Sequence, residues 1–200
     1  MSRRSKDEDF DTRIDVLRTR IKDSDDLNVQ DAVFDKRTLM DLYSLASKGV
    51  IDALGGSICT GKEANIFRAL VGSRELALKI YRISTSNFNV MQDYLHGDPR
   101  FGSVKGTKRA IVAAWTRKEY RNLMRAEEVG VRVPHPITMK ENILVMDLIG
   151  KGDNVAPPLK DVGLDSAEAE QIYQKIVEYI SLLYNQAGLV HADLSEFNIL

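Results

Sequence analysis

Two hundred residues, 44% hydrophobic and 28% charged, with a net charge of −1, suit one medium domain or a two-lobed unit with a real core. Such a balance excludes a global electrostatic pull toward nucleic acid or membrane. The single cysteine, Cys59, excludes an internal disulfide framework and points to a reducing compartment. The charged start after Met1 lacks the apolar run of a secretory signal, and no stretch approaches a membrane span. The expectation is a cytoplasmic chain with no membrane partner.

Residues 1–26 are dense in both charge signs and read as a solvated arm, which sets an expected boundary of 1–32. A helix is expected over 38–48. Leu39, Leu42, Tyr43 and Ala46 share one of its faces, Thr38 caps its start and Gly49 ends it. Ile66 to Ala69 and Leu76 to Tyr81 read as a hairpin turning at Gly72-Ser73, and Gly56 to Asn65 reads as a glycine-rich loop. Residues 84–110 read as a long irregular loop carrying Arg100, Lys105, Lys108 and Arg109.

Ile111, Trp115 and Leu123 recur at helical spacing and predict a helix over 111–128. Residues 142–149 form an apolar strand that Gly150-Lys151-Gly152 breaks. Asp165 and Glu168 then open an amphipathic helix with a capping box. Its stripe is Ile172, Ile176, Ile180 and Leu183, and Gly188 ends it. Mixed elements without regular alternation predict an α+β fold.

The chemistry concentrates in three places. His191-Ala192-Asp193-Leu194-Ser195-Glu196-Phe197-Asn198 has the form H-x-D-x-x-x-x-N. That form supplies a proton acceptor and an oxygen ligand for a metal from one short segment, as phosphoryl transfer requires. Lys79 interrupts an apolar strand; unless it lies at a solvated edge, its ammonium needs a phosphate or carboxylate partner. Glu119 falls in the row of Trp115 and Leu123 and is either a boundary residue or that carboxylate. Gly56 to Lys62 also matches the G-x-x-x-x-G-K of a P-loop. Glu63 stands where a Ser/Thr should ligate magnesium, and a strand follows where a helix should begin, so the P-loop NTPase reading is the weakest alternative.

Thr60-Gly61-Lys62-Glu63-Ala64-Asn65 resembles the S-T-G-K-E-A-N-V nucleotide loop of RIO-family atypical serine/threonine kinases, with Cys59 for the leading serine and Ile66 for the valine. His191 to Asn198 resembles their H-A-D-L-S-E-[FY]-N catalytic loop, and the pair is similar to the first RIO subfamily, of archaeal type. The resemblance runs from about Val33 to Leu200. It implies a two-lobed kinase-like fold: an N-lobe of antiparallel sheet plus helix over 33–145, with 84–110 as a flexible loop, and a mainly helical, incomplete C-lobe over 146–200.

By resemblance, Lys79 anchors the ATP phosphates and pairs with Glu119, and Asp193 is the catalytic base. Thr60, Gly61 and Lys62 line the nucleotide, and Met146, Leu148 and Ile149 form a hinge to adenine. Asn198 ligates Mg²⁺ or Mn²⁺, with a second metal-binding aspartate expected beyond Leu200, so the sequence reads as a C-terminally truncated chain.

The implied activity is an ATP-dependent serine/threonine kinase or ATPase in small ribosomal subunit maturation. Its implied partners are ATP, a protein substrate or the chain itself, and a pre-small-subunit particle or its rRNA. A competing reading is an ATP-gated ribosome-assembly module with little phosphotransfer, resting on the basic residues of the 84–110 loop.

Overall fold

The computed structural model describes residues 34–83, 91, 93, 107–151 and 154–200. The charged arm over 1–26, nearly all of the expected loop up to residue 106, and Gly152 lie outside the described residues. The chain forms two compact units. One contains the described residues up to Lys118 together with Ile137–Asp147; the other contains Glu119–Pro136 and Leu148–Leu200.

In the first unit, helix α1 (Lys36–Ser47) begins at Asp35, whose carboxylate accepts a 2.8 Å bond from Thr38 N. Thr38 is therefore inside the helix rather than its cap. Its hydroxyl is buried and bonds Asn142 Oδ1 at 3.3 Å. The helix ends as expected at Gly49, left-handed at φ 69°. Val50 N reaches Leu45 O and Gly49 N reaches Ala46 O, the paired bonds of a Schellman motif.

Three antiparallel strands follow: β1 (Ala53–Thr60), β2 (Ala64–Val71) and β3 (Arg74–Tyr81). Gly72, at φ 58°, makes the expected turn between β2 and β3. The segment read as a glycine-rich loop is mostly strand. Gly56 to Cys59 lie in β1, where register shifts at Ser57 and Cys59 absorb the glycines, and only Gly61 to Glu63 turn the chain. Strands β4 (Pro136–Lys140) and β5 (Ile143–Asp147) complete a five-stranded sheet in the order β1-β2-β3-β5-β4. The apolar run expected to continue to Ile149 stops at Asp147. Gly150–Lys151 (β6) instead pairs with Asn154–Val155 (β7).

One sheet face presents Phe67, Leu78, Ile80 and Val145 to Leu42 and Leu45 of α1. The register puts Ile66, Lys79 and Leu144 side by side on the other face. Farther along that second face, Tyr81 packs with Ile111 and Val112 from the start of helix α2 (Lys108–Glu128). Two covered faces explain why β5 reads as an unbroken apolar run rather than an alternating one.

Helix α2 starts earlier than expected. Thr107 Oγ1 accepts from Ala110 N and Thr107 O accepts from Ile111 N, so Lys108 and Arg109 are helical rather than loop residues.

In the second unit, the C-terminal part of α2 closes on Gly130 (φ 84°), with Val131 N bonded to Ala126 O. A 3₁₀ turn (Leu159–Asp161) precedes helix α3 (Ser166–Leu182), which opens with the expected Asp165/Glu168 capping box. A π-turn (Leu183–Ala187) extends α3 to Gly188, left-handed at φ 60°. The expected stripe is not buried. Ile172, Ile176 and Leu183 are half-covered and Ile180 is 48% exposed, because among the described residues too little packs on this side of α3. No helix among the described residues is long and apolar enough to cross a membrane.

Candidate active site

The first unit carries Thr60, Gly61, Lys62, Lys79 and Met146. Gly61 N donates to Ala64 O at 3.0 Å and closes the β1–β2 turn. A β-carbon on Gly61 would stand 2.8 Å from that same oxygen, so the turn requires glycine for close backbone approach. Ser57 Oγ and Thr60 Oγ1 lie 3.3 Å apart within β1, and Lys62 is exposed at the tip. Strand β2 begins two residues after Lys62, so among the described residues no helix starts at this turn, as a P-loop would require.

Lys79 occupies β3, the central strand, which removes the solvated-edge reading. Its register partners are Ile66 and Leu144, and its ammonium lies 5.1 Å from the centroid of the Tyr81 ring. Met146 pairs with Ala77, so it shares the face of Lys79 one diagonal step away. Cys59, opposite Ile66 in the register, projects on this face too. It is exposed, because β1 is an edge strand and Cys59 stands at its bulged end.

A polar cluster ties α1 to the sheet. Asn142 Nδ2 donates to Tyr81 O at 2.8 Å and Tyr81 N to Asn142 O at 2.9 Å. Arg109 donates to Asp35. Burial pushes the Asp35 carboxyl up, but bonds from Thr38 and Arg109 outweigh it and hold Asp35 below the usual carboxylate range. Asp41 shows the opposite balance. Burial raises its carboxyl despite Lys140, whose Nζ is 3.7 Å away.

The second unit carries Glu119, Leu148, Ile149, Asp193 and Asn198. Glu119 is half-buried in α2, Leu148 is half-buried, and Ile149 is exposed. Ile149 O accepts from Ala156 N at 2.9 Å.

The His191–Asn198 segment is held by its own amide. Asn198 Nδ2 donates to Asp193 O at 2.6 Å, Ser195 N donates to Asn198 Oδ1 at 2.9 Å, and Asn198 N donates to Ser195 O at 3.1 Å. Ala192, directly before Asp193, sits at φ 63°, a left-handed conformation that is uncommon for alanine. The 3₁₀ turn is stitched to the same segment: Leu159 N donates to Ile199 O at 2.8 Å and Lys160 N to Glu196 O at 3.1 Å. One turn thereby presents the exposed carboxylate of Asp193 and the side-chain oxygen of Asn198.

Among the described residues, no group of three or more His, Cys, Asp or Glu side chains could hold a metal by itself. The side-chain oxygen of Asn198 is a hard donor of the kind that Mg²⁺ accepts beside waters and phosphate oxygens. The sequence reading missed Arg125, which donates to Ala187 O. Its signal was a cation in the last turn of a helix, a pattern too common to single out.

A family model described as the RIO domain matches residues 65–200. The chain is 48% identical over 198 residues to the RIO-type serine/threonine-protein kinase Rio1 of Haloferax volcanii, covering 98% of this chain and 66% of that protein. It is 41% identical over 186 residues to the protein of the same name from Methanocaldococcus jannaschii, covering 93% and 63%. A crystal structure of a Rio2 kinase–ADP/Mg²⁺–phosphoaspartate complex from Chaetomium thermophilum is similar in fold. The TM-score is 0.63 at 26% identity, over 80% of this chain and 44% of that one. The chain thus spans just under two thirds of the length of these curated relatives, and its α+β architecture is of the kinase type.

Proposed function

This chain belongs to the RIO family, and from that membership we propose that its protein is an ATP-dependent serine/threonine kinase. The observation that carries the reading is the His191–Asn198 turn, in which Asn198 bonds the Asp193 carbonyl and the Ser195 amide and leaves the Asp193 carboxylate exposed. Asp193 accepts the proton of the substrate hydroxyl as its oxygen bonds the γ-phosphorus and the bond to the ADP oxygen breaks. Lys79 anchors the phosphates, and Glu119 is the carboxylate that orients that anchor. Thr60, Gly61 and Lys62 cover the phosphates. Met146, Leu148 and Ile149 meet adenine, with the Ile149 and Leu148 backbone as the polar contact.

Asn198 is the metal ligand of this chain. Mg²⁺, when bound, neutralises charge on the phosphates. Support for nucleotide and metal comes from the related Rio2 complex, which holds ADP and Mg²⁺. We extend the proposal to ATP hydrolysis, autophosphorylation, a cytoplasmic location and a role on the pre-small ribosomal subunit, all of which rest on the family resemblance.

The test uses the full-length protein. Asp193→Asn and Lys79→Ala should each lower phosphotransfer by about 10²-fold or more without moving the unfolding midpoint by more than a few degrees. Full activity in both variants would end the site assignment. Binding to small-subunit rRNA that weakens with salt and survives Asp193→Asn would favour an ATP-gated assembly module over a kinase.

A further inference from the structure

We infer that Arg125 is a positioning residue that ties the helix carrying Glu119 to the segment leading into the Asp193–Asn198 turn; the inference rests on the kinase reading for its link to activity. The last carbonyls of any helix lack intrahelical donors. At the end of α3, Leu183 O accepts from Gly188 N and, at 2.8 Å, from Leu189 N. Ala187 O takes its bond from the Arg125 guanidinium instead. Ala187 is only 3% exposed, so water is a poor substitute there. The bond is charge-assisted, and it sets a cation against the negative end of a helix.

Gly188 completes the fit. Its φ of 60° already disfavours a side chain, and a β-carbon there would stand 3.2 Å from Arg125 Nη2. Glycine therefore leaves the space that the guanidinium fills. The helix end is a π-turn, a geometry that recurs at functional sites. His191 follows Gly188 by three residues, and Ala192 then enters its left-handed conformation. Where α3 ends thus determines where the Asp193 turn begins. Arg125 and Glu119 are six residues apart on one continuous helix, a rigid separation of roughly 9 Å. One guanidinium bond therefore fixes the Asp193 segment against the helix that presents Glu119.

The experiment measures the full-length protein in two ways. Amide hydrogen exchange reads the device without reference to activity. Arg125→Ala should speed exchange at Leu189, bonded to Leu183 O, and at Ser195, bonded to Asn198 Oδ1, by about tenfold or more, while the β2 and β3 amides stay unchanged. Arg125→Lys, which keeps a cation but not the planar fork, should fall between the two. Arg132→Ala removes a nearby exposed bond to Tyr179 Oη and should leave Ser195 unchanged.

Steady-state kinetics should show kcat reduced about ten- to a hundredfold in Arg125→Ala with KM for ATP within about twofold, because misplacement by an ångström is that costly. Added guanidinium ion should recover part of kcat in Arg125→Ala and none in Asp193→Asn. Unchanged Ser195 exchange, an equal effect from Arg132→Ala, or a loss that merely follows the unfolded fraction would overturn the inference. Retained activity in Asp193→Asn would instead sink the kinase reading and leave the exchange result to decide the positioning role.

Discussion

The β1–β2 turn and the His191–Asn198 turn are both short polar segments assigned to the same chemistry, yet they are held in different ways. The first is closed by backbone. Gly61 bonds Ala64, and the ladder on either side fixes it to a sheet whose core is fully buried. The second is closed by a side chain. The Asn198 amide makes two of its bonds, and the residue before Asp193 is left-handed. A backbone-closed turn tolerates side-chain replacement but not added bulk, whereas a side-chain-closed turn is lost with its amide.

The sharpest way to break this contrast is a pair of substitutions. Asn198→Asp keeps a hard oxygen for the metal but loses the donor to Asp193 O, and sets two acceptors against each other. We expect phosphotransfer in the full-length protein to fall about a hundredfold and Ser195 exchange to accelerate. If Asn198 acted only as a metal ligand, Asn198→Asp would stay active. Gly61→Ala should instead lower stability by about 1–3 kcal/mol, read from denaturant unfolding, because the new carbon meets a backbone oxygen that the ladder keeps in place.

The same contrast explains what was legible in the sequence. Helix ends at Gly49 and Gly188, the Asp165/Glu168 box and the Gly72 turn were readable because each rests on local chemistry. Strand β1 was not, because Gly55-Gly56-Ser57 looks like a loop until β2 supplies the ladder that its bulges accommodate. Thr38 was mistaken for a cap for a related reason. Its hydroxyl serves Asn142, 104 residues away, and no local pattern could report that. The exposed stripe of α3 shows the converse limit: periodicity marks an apolar face but says nothing of what covers it. The residues proposed to carry the chemistry stand in recognisable motifs; the guanidinium at Ala187 O does not, since its partner is a backbone atom.

A smaller effect probes how α1 is fixed to the sheet unit. Asp35→Ala removes the helix cap and the Arg109 bond together and should cost about 1 kcal/mol. Asp35→Asn keeps an acceptor for Thr38 N but loses the charge, and should recover only part of that stability. The Asp35 carboxyl is held below its unfolded value, so its contribution is present above roughly pH 4 and is lost as pH falls through the folded pKa. Acid unfolding curves of wild type and Asp35→Ala should therefore converge at low pH. Curves that stay parallel would show that the carboxylate is not what stabilises the helix start.

The smallest expected effect has the opposite sign. Asp41 lies on the same helix, but burial raises its carboxyl and Lys140 only partly offsets this. One of its oxygens, Oδ2, is buried without a hydrogen-bond partner. A carboxyl whose folded pKa exceeds its unfolded value binds more protons in the native state, so stability falls as pH rises through that window and stays lower above it. Asp41→Asn removes the charge while keeping the volume and an acceptor for Lys140. It should leave the protein as stable or up to about 0.5 kcal/mol more stable at pH 7, with the gain vanishing once acid protonates Asp41 in the wild type. A loss of 1 kcal/mol or more at pH 7 would mean that the Lys140 pair outweighs desolvation. The two aspartates of α1, six residues apart, would then both stabilise the fold by charge instead of opposing each other.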